Sequence, residues 1–497
     1  MNYRSTRDSS LSVSSAQAIS RGISKDGGLF VPESMPWLSY NDLKALSNLD
    51  YVSCAADILG RFLPDFSANE ILSCVTKAYT RQKFETDTIA PLYMLDKSAY
   101  ILELWHGPTC AFKDMALQLL PHLLSLSVEK CGEKKTVVIL VATSGDTGKA
   151  ALEGFRDVKG TKIIVFYPKQ GVSPMQKLQM TTQQGENVFV CAINGNFDDA
   201  QSGVKAVFTD SSFNELLSEH GMIFSSANSI NWGRLVPQIV YYVAAYADLL
   251  KNNRISCGEQ INVVVPTGNF GNILAAYYAK KMGIPIAKLI CASNSNNVLT
   301  EFINTGIYDR NRQFYTTISP SMDILISSNL ERLLYDISGC DDVKTRSWMD
   351  SLAKTGRYEV DDYLKKSIGE YFWAGCCDDE RTMQSIKEIY TNNHYICDPH
   401  TAVAMNVWEQ YRAATHDTAK TIIASTASPF KFSGDVLTAI YGEKPHEDEA
   451  DLIAKIAELA MCRPPKQLEA IFGLEERFSQ SCDREQLKDV IAKALNI

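Results

Sequence analysis

The stretch His106-Gly107-Pro108-Thr109-Cys110-Ala111-Phe112-Lys113-Asp114 places one lysine behind Phe112 and ahead of an apolar run, Met115-Ala116-Leu117-Gln118-Leu119-Leu120. An ammonium group in apolar surroundings is costly unless it is paired or loses its proton. A lysine that loses its proton is a nucleophile and can form a Schiff base with an aldehyde. The same residues also fit a surface lysine at a helix start, with Asp114 favouring the first turn. Two loops downstream bear on the choice. In Thr267-Gly268-Asn269-Phe270-Gly271-Asn272, glycines let the backbone point several N–H groups at one spot, and the helix that follows adds positive potential. That arrangement suits a phosphate. In Thr143-Ser144-Gly145-Asp146-Thr147-Gly148, hydroxyls and two glycines precede a second helix, a nest suited to a carboxylate. Each loop alone also reads as a plain capped turn, with an Asn cap in the first and Asp146 or Thr147 in the second. A Schiff-base lysine, a phosphate site and a carboxylate site together describe amino-acid chemistry on a cofactor that has both an aldehyde and a phosphate. That cofactor is pyridoxal 5′-phosphate (PLP).

Such residues need elements that bring them to one place. Short β-branched runs alternate with helical patterns through the middle of the chain. Strands are predicted at Val137–Ala142, Lys162–Tyr167, Asn187–Ile193, Ile261–Val265, Ile286–Cys291 and Thr421–Ala424. Helices are predicted at Lys149–Arg156, Ser173 to near Gly185, Asp198–Thr209, Trp232–Leu250 and Asn272–Met282. The βαβα rhythm and the continuous apolar strands predict an α/β fold of mostly parallel sheets covered by helices. In such sheets ligands bind beyond the carboxyl ends of the strands, where both loops lie. The predicted division is a mainly helical region over 1–95, a large α/β domain over 96–130 and 228–440, a small α/β domain over 131–227 and a helical region over 441–497. A charged helical insert without clear strand signal is expected within the large domain, over about 320–395.

At 497 residues the chain can bury large cores. A net charge of −9 without a basic stripe argues against nucleic acid as a partner. The segment MNYRSTRDSSLSVSS lacks the apolar centre of a signal peptide, and no apolar run is long enough to span a membrane. The 13 cysteines are scattered, with no CxxC, and the seven histidines form no HExxH. No metal site is expected, and the thiols fit a reducing, cytoplasmic setting. A Walker A loop is excluded because Gly148-Lys149 is followed by Ala150, and Gly268 and Gly271 do not make a GxGxxG fingerprint. No GxSxG nucleophile elbow occurs.

The motifs in chain order resemble the threonine synthase family, in its long bacterial and fungal form, among PLP enzymes of the tryptophan-synthase-β type (fold type II). The resemblance rests on SKDGGLFVP from Ser24, HGPTCAFKD from His106, TSGDTG from Thr143, NGNFDDAQ from Asn194, NSINWGR from Asn228, PTGNFGN from Pro266, DPHTA from Asp398 and STASPFKF from Ser425. It implies PLP bound covalently to Lys113, with its phosphate cradled by Gly268, Asn269, Phe270, Gly271 and Asn272. It implies that Thr143, Ser144, Gly145 and Thr147 hold a substrate carboxylate, that Asp146 reaches the cofactor's ring hydroxyl, and that Thr426 (or Ser425) meets the pyridine nitrogen. Arg234 and Asn231, with Lys177 as a further candidate, are expected at the substrate's phosphate, and His106 and Thr109 beside the site. Arg234 and Asn231 also fit as residues that simply start a helix. The sequence departs from the family pattern at Ser428, where a histidine is more common. The implied activity is conversion of O-phospho-L-homoserine and water to L-threonine and phosphate by a monomer or homodimer. The alternatives are a phospho-lyase releasing 2-oxobutyrate, an amino-acid dehydratase of the same fold, or a non-catalytic relative that binds PLP or a phosphorylated metabolite.

Overall fold

The computed structural model describes residues 1–143, 145–169 and 172–497. The chain opens with a three-stranded antiparallel sheet of β1 (Tyr3–Ser5), β2 (Asp8–Val13) and β3 (Phe30–Pro32), ordered β2-β1-β3. Helices Tyr51–Phe62 and Ala68–Ala78 follow. The first buries Cys54, Ala55, Ile58, Leu59 and Phe62 along one stripe. The second starts at a reciprocal Ser67–Glu70 capping box. β4 (Leu92–Met94) and β5 (Ala99–Glu103) then begin the large sheet.

β6 (Thr136–Ala142), β7 (Thr161–Pro168), β8 (Val188–Ile193) and β9 (Met222–Ser225) form a second sheet. The chain returns to the large sheet with β10 (Ile261–Pro266) and β11 (Ile286–Ser293). β12 (Ile307–Asp309) and β13 (Arg357–Glu359) make an antiparallel ribbon. β14 (Phe372–Cys376) and β15 (Thr421–Ser425) complete the large sheet, and β16 (Ser481–Cys482) joins the second one. The large sheet runs β14-β11-β10-β15-β5-β4 and the second β16-β8-β7-β6-β9. Every pairing in both is parallel except β4 with β5. Each residue of β10 and β15 is buried, as expected of strands covered on both faces.

Three differences from expectation have local causes. The apolar run after Lys113 is not one helix: Asp114–Leu117 ends, and Leu120–Lys130 starts afresh with Pro121 in its first turn, where a missing N–H costs least. The region 320–395 does contribute strands, β13 to the antiparallel ribbon and β14 to the large sheet; β14 is the one that bears on the site. Its sequence, Phe-Trp-Ala-Gly-Cys, is too short to show periodicity, and it is fixed by pairing to β11. Residues 441–497 supply β16 to the second sheet, so this mainly helical region is tied into it. No helix among the described residues is long and apolar enough to cross a membrane.

Adjacency in the large sheet sets up the site. β10, β15 and β5 are neighbours and parallel. The carboxyl end of β10 leads into Thr267–Asn272, that of β15 into Thr426, and that of β5 into the loop reaching Lys113. β6 delivers Thr143 and Asp146 from the second sheet.

Candidate active site

Lys113 directly precedes helix Asp114–Leu117. Its Nζ donates to Ser321 Oγ at 3.4 Å, lies 3.9 Å from Asp146 Oδ2, and stands 4.9 Å from the centre of the Phe112 ring. Burial draws its ammonium down to about 8. Asp146 opposes the shift, while Lys431 and Arg234 add to it. A free amine is therefore accessible near neutral pH, as a Schiff-base lysine requires. The loop before it is held from within. Thr109 donates through its N–H and its hydroxyl to buried Asp114, both at 2.8 Å. Burial pushes the Asp114 carboxyl up to about 7 against these bonds. The Phe112 N–H donates to Thr426 O at 2.8 Å, and Ala111 bridges Ala427, which seats this loop on the end of β15.

Asp146 is the first residue of helix Asp146–Phe155, and neither it nor Thr147 is the cap. The cap residue is Gly145, and Thr143 Oγ1 accepts from the N–H groups of Gly145 and Gly148, each at 3.1 Å. A Cβ on Gly148 would lie 2.2 Å from Thr143 Cγ2, so that glycine is required by close approach, and one on Gly145 would displace the Gln176 amide, 2.7 Å away, from its place beside Asp146. Asp146 accepts from Lys431 Nζ, from Gln176 Nε2 at 3.0 Å, and from Ser321 Oγ at 3.5 Å. Burial alone would raise its carboxyl, but Lys431, Lys113 and Gln176 outweigh burial and hold it far below the usual range. Thr147 is half-buried in the same loop, and Ser144 lies outside the described residues.

The loop after β10 is built as a cradle. Phe270 caps helix Gly271–Lys281 at φ 62, a left-handed conformation that strains a bulky residue by about 1–2 kcal/mol. Cys110, near Lys113, has φ 57. The N–H groups of Gly268, Asn269, Phe270 and Gly271 donate to no other described residue. Asn272 Oδ1 accepts from Tyr241 at 2.5 Å and from Tyr242 at 2.6 Å, which orients the amide, yet its buried Nδ2 has no partner. A Cβ on Gly268 would lie 2.6 Å from Ser321 O, whereas around Gly271 nothing comes nearer than 3.5 Å. An orphaned amide, free N–H groups at a helix start and an open glycine fit the phosphate of PLP. At the far end of the site Ser425 Oγ is occupied, accepting from Trp105 Nε1 and Thr401 Oγ1, both at 3.0 Å. The Thr426 hydroxyl bonds to no described residue and remains available to a ring nitrogen.

Arg234 is buried in helix Trp232–Lys251. It donates to Ala227 O at 2.6 Å, and among the described residues its Nε has no partner and no carboxylate pairs with it. Burial lowers its guanidinium to about 10. Other expected residues are engaged elsewhere. Asn231 caps the same helix, accepting from Gly233 N at 2.8 Å and donating to Ile19 O and Ser226 O, so its helix-start reading describes its contacts. Lys177 is exposed on helix Pro174–Thr181 while its neighbour Gln176 faces Asp146. His106 bonds Glu103 at 2.8 Å and stacks on Trp105. Sequence reasoning passed over Lys431, Ser321, Gln176 and the Asp398–His400 pair. His400 Nδ1 donates to Asp398 at 2.5 Å, and its Nε2 accepts from Ser321 N at 3.1 Å. Lys431 had a signal, for Pro429-Phe430-Lys431-Phe432 repeats the lysine-beside-phenylalanine pattern of Phe112-Lys113.

Residues 2–79 match the model of the threonine synthase N terminus, residues 88–426 that of pyridoxal-phosphate dependent enzymes, and residues 401–491 that of the threonine synthase C-terminal region. Threonine synthase of Saccharomyces cerevisiae is 36% identical over 99% of this chain and 98% of its own length. The chain belongs to the threonine synthase family. Human threonine synthase-like 1 is 42% identical over 86% of this chain, which spans 58% of that longer protein. The crystal structure of PLP-bound threonine synthase from Brucella melitensis superposes with a TM-score of 0.86 at 35% identity, covering 99% of each chain. The chain is thus a PLP-dependent enzyme of fold type II, and PLP is its cofactor.

Proposed function

We propose that this chain converts O-phospho-L-homoserine and water to L-threonine and phosphate, acting as a PLP-dependent carbon–oxygen lyase. The observation that carries the reading is Arg234. Its guanidinium is buried, has among the described residues an unpartnered Nε and no neutralising carboxylate, and is close enough for its charge to be felt at Lys113. A substrate bearing its own phosphate needs such a site in addition to the Gly268–Asn272 cradle, which serves the cofactor.

Bound PLP supplies the sink for electrons released at the amino acid's carbons. The rest falls to this chain. Thr143, Gly145 and Thr147 orient the substrate carboxylate at the start of helix Asp146–Phe155. The Lys113 amine, held near neutrality by burial, takes and returns protons at successive substrate carbons. Asp146, kept anionic by Lys431, would hold the ring hydroxyl of bound PLP, and the Thr426 hydroxyl would serve its nitrogen. Arg234 receives the departing phosphate. Burial of the whole group keeps bulk water from intermediates, so that water adds only at the β carbon.

Incubation of the holoenzyme with O-phospho-L-homoserine, assayed for threonine, phosphate and 2-oxobutyrate together, tests the proposal. Equal amounts of threonine and phosphate with little 2-oxobutyrate are expected. Phosphate accompanied mainly by 2-oxobutyrate would establish the phospho-lyase instead, and no phosphate release would reject both.

A further inference from the structure

Away from Lys113, a cavity of about 1060 Å³ opens where the N-terminal helices, the second sheet's helices and the C-terminal region meet. Its walls hold Lys77, Lys83, Lys149, Arg156 and Lys159. Against these stand Glu70, Glu153 and Asp157. On a chain of net charge −9, an excess of cations in one hollow calls for a reason. The carboxylates are already engaged, Glu153 by two of these same wall cations, which leaves the other three lysines uncompensated. Glu70 pairs with Lys130 at 3.0 Å, Glu153 with Lys149 at 3.4 Å and Arg156 at 2.9 Å, and Asp157 accepts from Glu186 N at 2.8 Å. Lys77, Lys83 and Lys159 have no carboxylate within ion-pair distance among the described residues.

Two further lining groups lack partners among the described residues. His122 Nε2, from helix Leu120–Lys130, and Gln467 Oε1, from helix Lys466–Glu469, are buried without a hydrogen bond. Burial, then Lys83 and Lys77, holds the His122 imidazole down to about 4, so at neutral pH it adds a hydrogen-bonding group and no charge. Leu126, Ile471 and Leu474 supply apolar surface beside these groups. Unpaired ammonium groups, orphaned polar atoms and a partly apolar wall describe a ligand pocket rather than a solvated face.

We propose that this cavity is a second ligand site, for a small organic metabolite carrying carboxylate or phosphate groups, with Lys83 and Lys77 as its charge partners. The site is separate from the catalytic one but mechanically joined to it. Helix Asp146–Phe155 presents Asp146 to Lys113 at its start and Lys149 and Glu153 to the cavity further along, and Pro108 on the cavity wall adjoins Thr109.

The test is calorimetric titration of the PLP-loaded enzyme with citrate and, separately, with pyrophosphate, at ionic strength fixed with KCl. Lys83→Met and Lys77→Gln are compared with wild type and with Lys354→Gln, an exposed lysine elsewhere. At least one probe should bind wild type and Lys354→Gln saturably, and which one binds separates carboxylate from phosphate ligands. Each cavity variant should weaken that binding about tenfold, the scale of losing one charge-assisted hydrogen bond. Lys77 is exposed, so its variant stays folded whatever Lys83→Met does. No saturable heat from either probe, or equal affinity in wild type and both cavity variants, would overturn the proposal. The second outcome would place the anion in the catalytic centre.

Discussion

Lys113, in the Schiff-base role proposed for it, has to be a free amine at the moment it is used, and the residues around it lower the cost of losing the proton. Burial lowers its ammonium to about 8, Lys431 and Arg234 push it further, and Asp146 stops the shift from running on. Below about pH 8 the group is charged and unreactive; above it the free amine dominates. The rate at which the apoenzyme takes up PLP should therefore rise with pH through a midpoint near 8 and level off above it, well below where an ordinary lysine titrates. Stopped-flow absorbance over pH 6–10 reads the midpoint, and a rate still climbing steeply at pH 10 would mean that the lysine is not activated. Borohydride should fix the label on Lys113, and Lys113→Ala should abolish turnover. Lys113 was legible in the sequence because its neighbours are apolar. Ser321 and Gln176 were not, because a serine and a glutamine carry no mark of which carboxylate they will meet across the fold.

The supporting elements were legible in proportion to how much of their burial is local. β6 and β10 announce themselves as continuous apolar runs, and the helices that follow them were placed to within three residues. β14 and β16 were missed because their five and two residues are defined by the strands they pair with, not by any pattern of their own. The Gly268–Asn272 loop was readable because glycine marks a backbone need, and its two glycines answer different needs. At Gly268 a Cβ meets Ser321 O at 2.6 Å, so Gly268→Ala strains the protein itself. At Gly271 the space is open, so a methyl group there is tolerated by the protein itself and intrudes only on the phosphate site proposed for this loop. Gly268→Ala should lower apoenzyme stability by about 1–3 kcal/mol. Gly271→Ala, in the first turn of a helix, should leave stability unchanged or slightly raised while weakening PLP binding. Urea unfolding of the two apoenzymes, set beside PLP titrations, separates these effects. Equal PLP affinity in Gly271→Ala and wild type would remove that loop from the phosphate site.

At the scale of the whole molecule, the site is a junction between two sheets, and Asp146 spans it with ion pairs to Lys113 and, more closely, to Lys431. Asp146 comes from the end of β6 in the five-stranded sheet, whereas Lys431 and Lys113 come from segments beyond β15 and β5 of the six-stranded one. The Lys431 side chain is wholly buried, and among the described residues its ammonium meets only Asp146 and the Thr109 carbonyl. Opening the junction would leave both charges without their main partner in a region where water is scarce. The pair therefore ties approach of the two sheets to burial of the site. A buried pair contributes little net stability over an apolar replacement, but breaking it from one side costs about 3–5 kcal/mol, because the other charge is stranded. Lys431→Met should lose that much in urea unfolding of the apoenzyme, and Asp146→Asn somewhat less, since Gln176 and Ser321 still meet the amide. The double variant should recover most of the loss, giving a coupling energy of at least about 1–2 kcal/mol between residues 285 positions apart in sequence. Additive losses would mean that each residue acts alone and that the junction is held by its apolar contacts. Strong coupling in stability, with PLP still bound to Lys113 in Lys431→Met, would identify Lys431 as the residue that positions Asp146 and not as one that anchors the cofactor.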